Sequence, residues 1–195
     1  MIIDSHCHAG TGDGLTGPRD TRAPLDQYLE RAARAGIDRS VLFGAFHSDY
    51  GSTNEEVARI VVRHPGRFYG FAFVHSQRDR GRIPALVATA VCRYGFVGIK
   101  VHRYDARITR EVCDTARRFH LPVIYDVMGE VFVCELLAQE YPDVAFIIPH
   151  LDSFADDWRP AGADRSPGAP SQHLHGYRRR VRLRPARTGR GPRRG

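Results

Sequence analysis

Cysteine and lysine are both scarce in this 195-residue sequence. The cysteines bear on disulfides and structural zinc sites, and the lysine count bears on the source of the positive charge. None of the four cysteines forms a CxxC pair, which argues against a disulfide framework and against a structural zinc knuckle. We expect four free thiols. Lysine occurs once among 29 basic residues, at Lys100, so arginine supplies almost all of the positive charge. The cysteines are Cys7, Cys92, Cys113 and Cys134.

Long apolar runs are absent as well. No stretch approaches the roughly 20 residues that a membrane-spanning helix requires. The N-terminal sequence MIIDSHCH lacks the basic segment and apolar run of a secretory signal. These two absences predict a cytoplasmic protein with no membrane partner.

The positive charge is confined to the C-terminal segment. The chain has a formal net charge of +7, but residues 159–195 hold eleven arginines and one acid, a net of +10. Subtracting that segment leaves 18 basic and 21 acidic side chains in residues 1–158, a net of −3. The main part of the chain is therefore mildly acidic, and specific nucleic-acid binding by it is not predicted.

Residues 159–195 are predicted to be a disordered tail. Of these 37 residues, 22 are Arg, Gly or Pro. Too few of the remaining residues are large and apolar to form a hydrophobic core. Such a tail would bind polyanions only non-specifically, in a salt-dependent way. The arginine bias indicates a gene rich in G and C. Such a gene, read out of frame, encodes mainly Arg, Gly, Pro and Ala, which is the composition of this segment. We therefore expect a reading-frame change near Arg159. The alternative is a natural basic interaction tail.

Residues 1–158 alternate short apolar runs with amphipathic stretches, which predicts one α/β domain with a parallel sheet. Both a doubly wound sheet and a TIM-type barrel satisfy this alternation. The barrel is favoured, because a glycine-rich phosphate turn does not follow the first strand and several strands end in His or Asp. About six of the eight βα units are expected. Strands are predicted at 1–5, 40–45, 67–74, 96–101, 122–126 and 144–149, and helices at 24–35, 52–63, 82–94, 109–119 and 130–141.

The first strand closes with an HxH motif. Side chains of a strand alternate between its two faces, so Asp4, His6 and His8 are predicted to share one face, where two imidazoles can bind one metal ion. Most HxH motifs are ordinary polar surface. This one lies at the expected mouth of a barrel, which favours a metal site.

Several blocks in order resemble a known family. IIDSHCHAG resembles the opening of amidohydrolase-superfamily enzymes, whose first-strand HxH holds a catalytic divalent metal. NEEVARIVVRHPGRFYGFAFVHS, VGIKVHRYDA, LPVIYDVMGE and DVAFIIPHLDSF resemble later blocks of its amidohydrolase-related branch, which includes aminocarboxymuconate-semialdehyde decarboxylase. The resemblance covers roughly residues 1–158.

The resemblance implies a metal site. His6 and His8 would be ligands of one divalent ion, expected to be zinc. Asp126 stands where this branch usually has a histidine ligand, so it is a candidate third ligand or a cap of the following helix.

The resemblance also implies catalytic and substrate-binding residues. His150 would assist proton transfer or bind substrate beside the metal, with an ordinary residue of the barrel mouth as the plain alternative. Lys100 would act in catalysis or hold an anionic group of the substrate, with a solvent-facing lysine as the plain alternative. His102, at the same strand end, is either a substrate contact or an ordinary residue of the rim, and Arg103 could hold a carboxylate of the substrate.

These residues predict a metal-dependent hydrolase or decarboxylase acting on a small carboxylated or carbonyl substrate through a metal-activated water. The superfamily places an Asp at the end of strand eight, and this sequence has no counterpart, so activity is expected to be impaired. The alternatives are a non-catalytic remnant and a TatD-like metal-dependent deoxyribonuclease. Open sheet edges would favour a homo-oligomer.

Overall fold

The computed structural model describes residues 1–13 and 25–152. Within these ranges, six strands alternate with five helices, and a short 3₁₀ turn, Pro149–Asp152, follows the last strand. The predicted tail at 159–195 lies outside the described residues. The strands are β1 (Ile3–Ala9), β2 (Arg39–Gly44), β3 (Phe68–Phe73), β4 (Gly98–His102), β5 (Val123–Asp126) and β6 (Phe146–Ile147); the helices are α1 (Leu25–Arg34), α2 (Tyr50–Arg63), α3 (Ile83–Tyr94), α4 (Arg110–Phe119) and α5 (Val131–Glu140).

Local signals explain where most helices begin and end. Helix α3 has Pro84 in its first turn, where a missing N–H costs nothing, and it ends at Gly95, whose φ of 69° is left-handed. Helix α2 begins two residues earlier than predicted. Its N-cap is Asp49, whose carboxylate accepts a hydrogen bond from the Gly51 N–H at 2.9 Å, so the predicted start at Ser52 is wrong.

The six strands form one parallel sheet in the order β1-β2-β3-β4-β5-β6. Strand β1 carries an irregularity. Asp4 pairs with Ser40 and Cys7 with Leu42, so β1 contains one more residue than β2 between these pairs. Such a bulge shifts the alternation of side chains by one residue. Two side chains that would share a face in a regular strand therefore point to opposite faces when the bulge lies between them. Asp4 accepts a hydrogen bond from Tyr28 of α1, and the prediction that it shares a face with His6 and His8 is wrong.

The sheet is curled, as an incomplete TIM-type barrel requires. Strands β1 and β6 lie at opposite edges of the sheet, so in a flat sheet they would be about 24 Å apart at ordinary strand spacing. The rings of His6 in β1 and His150 after β6 are only 4.4 Å apart between centroids. The prediction of an incomplete parallel (β/α) barrel is therefore confirmed.

Two apolar clusters lie on opposite faces of the sheet. The larger one packs the helices against the outward side chains of the strands, such as Ile99 and Val101. The smaller one fills the interior with large aromatics, including Phe43, Phe71 and Phe73. A Cβ on Gly98 would lie 2.2 Å from the Phe71 ring, so only glycine at this place lets that ring enter the interior.

No helix in the described ranges is both long and apolar enough to cross a membrane.

Candidate metal centre

The candidate site lies in the barrel interior, at the carboxyl ends of the strands. Polar side chains replace the aromatic filling there: His6 and His8 on β1, Lys100 and His102 on β4, Asp126 on β5, and His150 in the turn after β6. Lys100, His102 and Asp126 are buried polar residues, with Lys100 fully enclosed. Parallel strands place their carboxyl ends at one rim, so residues far apart in sequence meet here.

Three of these residues form a group with the spacing of a metal site. One potential ligand atom each of His6, Asp126 and His150 lies within 4.8 Å of the other two. His150 is held with a left-handed backbone, φ 59°, a conformation that costs about 1 kcal/mol or more for a non-glycine residue. Such strain recurs at functional sites.

His8 lies beside this group but is not part of it. Its Nδ1 lies 2.8 Å from the carbonyl oxygen of Gly44, which can only accept, so Nδ1 carries the hydrogen. The Nε2 lone pair is then available to a ligand. Burial, with the nearby Lys100, lowers the pKa of His8 to about 3, so the ring is neutral at physiological pH. Metal ligation by His8 remains a prediction.

Lys100 contacts the first-strand motif directly. Its Nζ lies 3.0 Å from Nε2 of His6 and 5.0 Å from the centroid of the Phe43 ring. Burial lowers the pKa of Lys100 to about 7, against the opposing effect of Asp126 and Asp105. Burial and Lys100 together lower the pKa of His6 to about 2. The solvent-facing alternative for Lys100 is excluded.

Asp126 lies beside two histidines. The Nε2 of His102 lies 3.1 Å from Oδ2 of Asp126, and His150 Nε2 lies 3.8 Å from the same oxygen. Burial by itself would raise the pKa of Asp126, but the hydrogen bond from His102 and the positive charges nearby hold it well below its usual value. Asp126 is therefore an anion at neutral pH.

Arg103 is engaged elsewhere. Its guanidinium makes two hydrogen bonds to Glu130, at 2.7 and 3.0 Å, and Arg107 binds the same carboxylate. The pKa of Glu130 is lowered to about 2 by the hydrogen bonds from Arg107 and Arg103. No local sequence pattern predicts this ion pair, because Arg103 and Glu130 are 27 residues apart. A substrate contact by Arg103 remains a prediction.

Four further histidines within residues 25–152 lie outside the group. His47 and His75 follow β2 and β3, and each uses Nδ1 to accept backbone N–H groups of its own loop. His64 and His120 cap the C-terminal ends of α2 and α4, as expected of structural residues.

The donor set fits a divalent metal ion. Imidazole nitrogen and carboxylate oxygen are the ligands that zinc uses in catalytic sites. His6 and His8 are held neutral, and Asp126 is held ionised, which are the protonation states that metal binding requires. His6 and Asp126, with His8 beside them, are the residues that would hold the ion, and His150 lies next to them on the side that is open to solvent.

No protein-family model matches the sequence, and no curated protein matches it. Solved structures do match the fold. A Staphylococcus aureus protein named as a candidate amidohydrolase has a TM-score of 0.55 at 13% identity, over 75% of this chain and 66% of its own. The 4-oxalomesaconate hydratase of Rhodopseudomonas palustris gives 0.55 at 16%, over 78% and 64%. The 5-carboxyvanillate decarboxylase of Sphingomonas paucimobilis gives 0.59 at 10%, over 77% and 68%.

The matched part is about two thirds of each of these proteins, and less of some others: it covers 57% of a further neighbour. At identities of 10 to 16%, the likeness shows a common fold. The expected resemblance is confirmed at that level, since the described chain has the fold shared by enzymes of the amidohydrolase superfamily.

Proposed function

We propose that this chain is a metal-dependent enzyme of the amidohydrolase type, either a hydrolase or a carbon–carbon lyase. One observation carries the proposal: His6, Asp126 and His150, from three separate strand ends, bring potential ligand atoms within 4.8 Å of one another. A buried, ionised carboxylate at a barrel rim is costly for folding, so the presence of Asp126 beside two imidazoles favours a functional role. Zinc is the metal we propose.

When bound, the metal would supply an activated water and a Lewis acid for an oxygen of the substrate. The protein's own groups supply the rest. His150 is partly exposed, with 31% of its side chain accessible, so it can exchange protons between solvent and the reacting group. Lys100 offers N–H donors in a buried setting, where a hydrogen bond to an anionic oxygen is strong.

An aromatic wall bounds the site on one side. Phe46 lies edge-on to His102 at 4.9 Å and stacks near His8 at 5.6 Å, and Phe73 closes the same side. These rings keep water from the buried polar groups, which strengthens their electrostatic effect. They also offer an apolar surface to a flat substrate.

A small carboxylated compound is the substrate class we propose. The decarboxylase and the hydratase that share the fold act, by their names, on 5-carboxyvanillate and 4-oxalomesaconate, both of which carry carboxylates. In this chain Lys100 is the basic group inside the site, while Arg103 would have to leave Glu130 to contribute. We therefore assign carboxylate binding first to Lys100.

Metal analysis of the full-length chain tests the proposal. We expect about one zinc ion per chain after loading and dialysis, and its loss in His6→Ala and in Asp126→Ala. His64→Ala is the matched control, because His64 lies at the opposite end of the barrel and should leave the metal content unchanged. Equal zinc in His6→Ala and in the unaltered chain would refute the proposal.

A further inference from the structure

His102 lies beside the carboxylate of the neighbouring strand. It ends β4 and lies directly opposite Asp126 in the register between β4 and β5. The side chain is buried, with only 7% of its surface accessible. The sequence suggested a substrate contact, but the hydrogen bonds around the ring indicate another role.

The proton positions on His102 follow from its partners. The backbone N–H of Tyr104 lies 3.0 Å from Nδ1, and a backbone N–H can only donate, so Nδ1 is the acceptor nitrogen. In the neutral ring, Nε2 then carries the hydrogen and donates it to Oδ2 of Asp126 at 3.1 Å. Both nitrogens are occupied, and neither is free to bind metal or substrate.

The orientation of the ring is fixed on its other sides too. Phe46 packs edge-on against it, with centroids 4.9 Å apart and planes at 72°. The carbonyl oxygen of His102 accepts the N–H groups of Asp105 and Ala106, which ties the residue into the loop after β4. A donor held this rigidly can fix the direction of a partner's oxygen atoms.

We propose that His102 is a positioning residue, which donates a hydrogen bond to Asp126 and so orients that carboxylate for metal binding. The inference rests on the proposed function and deepens it. It assigns His102 to the metal site through Asp126 and removes it from the substrate contacts. Partners of this kind typically change metal affinity about 10- to 100-fold when they are lost.

Two substitutions that differ by one methylene separate the two hydrogen bonds of His102. In His102→Asn the shorter amide can still accept from the Tyr104 N–H, but it does not reach Asp126. In His102→Gln the longer amide reaches the place of Nε2 and donates to Asp126. Titration of the full-length chain with Zn²⁺ gives the affinity. The absorption spectrum of the Co²⁺ form reports the ligand arrangement, which a purely structural role would leave unchanged.

We expect zinc affinity to fall about 10- to 100-fold in His102→Asn, with an altered Co²⁺ spectrum, and to stay within about threefold in His102→Gln. Thermal unfolding without metal shows whether each variant is folded. If both variants bind zinc as the unaltered chain does, His102 does not position Asp126, although the proposed function stands. If both lose affinity and stability equally, His102 only packs. If the unaltered chain binds no zinc, the proposed function fails and this inference fails with it.

Discussion

The two faces of strand β4 are buried to the same extent, but they carry side chains of different polarity. Ile99 and Lys100 are neighbours in sequence, and both are fully buried. Ile99 points outward into the apolar cluster beneath the helices, whereas Lys100 points inward and contacts His6. Burying apolar surface stabilises the fold, while burying an amine opposes it. We therefore expect the outer face to account for stability, and we propose that the rim of the inner face carries the function.

The interior itself is divided along the strands. On β5, Ile124 belongs to the inner apolar cluster, while Asp126, two residues further on the same face, belongs to the polar group. The change from apolar to polar occurs at the carboxyl end, where barrel enzymes carry their chemistry. The following predictions test this division, beginning with the largest expected effect.

Shortening the outward side chain should be costly. We expect Ile99→Ala to lower the free energy of unfolding by about 2–5 kcal/mol, because it removes buried apolar contacts and leaves a cavity. Urea unfolding followed by circular dichroism measures the change. A loss below about 1 kcal/mol would show that the outer cluster does not dominate stability.

Replacing the inward lysine should not lower the free energy of unfolding. We expect Lys100→Met to leave the free energy of unfolding unchanged or to raise it by about 1–3 kcal/mol, since an apolar side chain of similar length replaces a buried amine. The same urea experiment measures it, with Ile99→Ala as the matched control on the other face. A clear destabilisation by Lys100→Met would mean that the contact between Lys100 and His6 supports the fold.

The rim ion pair should contribute least. The hydrogen bonds from Arg107 and Arg103 lower the folded-state pKa of Glu130 from 4.5 to about 2. Because the folded pKa is the lower one, the stabilisation is present above pH 4.5 and is lost as the pH falls toward 2. We expect Glu130→Gln to cost about 1 kcal/mol or less at pH 6, since solvent screens this pair. The difference from the unaltered chain should vanish near pH 2.

Unfolding measured at several pH values between 2 and 6 follows that difference. If Glu130→Gln remains equally destabilising at pH 2, the side chain acts through packing and not through its charge. The surface ion pair between Arg110 and Glu140 lies away from the site. Glu140→Gln in the same experiment is the control for the effect of removing an exposed carboxylate.

The sequence predicts the type and order of the elements well because the pattern is local, although β1 begins and ends later than the predicted 1–5. Buried parallel strands appear as apolar runs such as Val123–Asp126, and amphipathic helices end at Gly95 or before Pro142. The bulge in β1 escapes prediction, because a strict period of two assumes regular pairing with β2. Asp49 as the cap of α2 also escapes, since Ser52 offers a competing signal.

The sequence predicts His6 and Asp126 as metal ligands, and both belong to the candidate group. It assigns His150 to proton transfer, and it takes as a ligand His8, which lies beside the group. His6, Asp126 and His150 stand out as polar residues at strand ends. Their convergence depends on how far the sheet curls, which no local pattern encodes. The pairing of His102 with Asp126 follows from the register of β4 and β5, so it becomes visible only once that register is known.

Anomalous diffraction from crystals of the full-length chain loaded with zinc tests the central claim most directly. We expect one strong peak at the zinc absorption edge, from an ion bound by His6 and Asp126 at about 2.0–2.2 Å, within the group that includes His150. A zinc peak at another place would contradict this claim. The absence of a peak at saturating zinc, with Lys100 still in contact with His6, would contradict it as well.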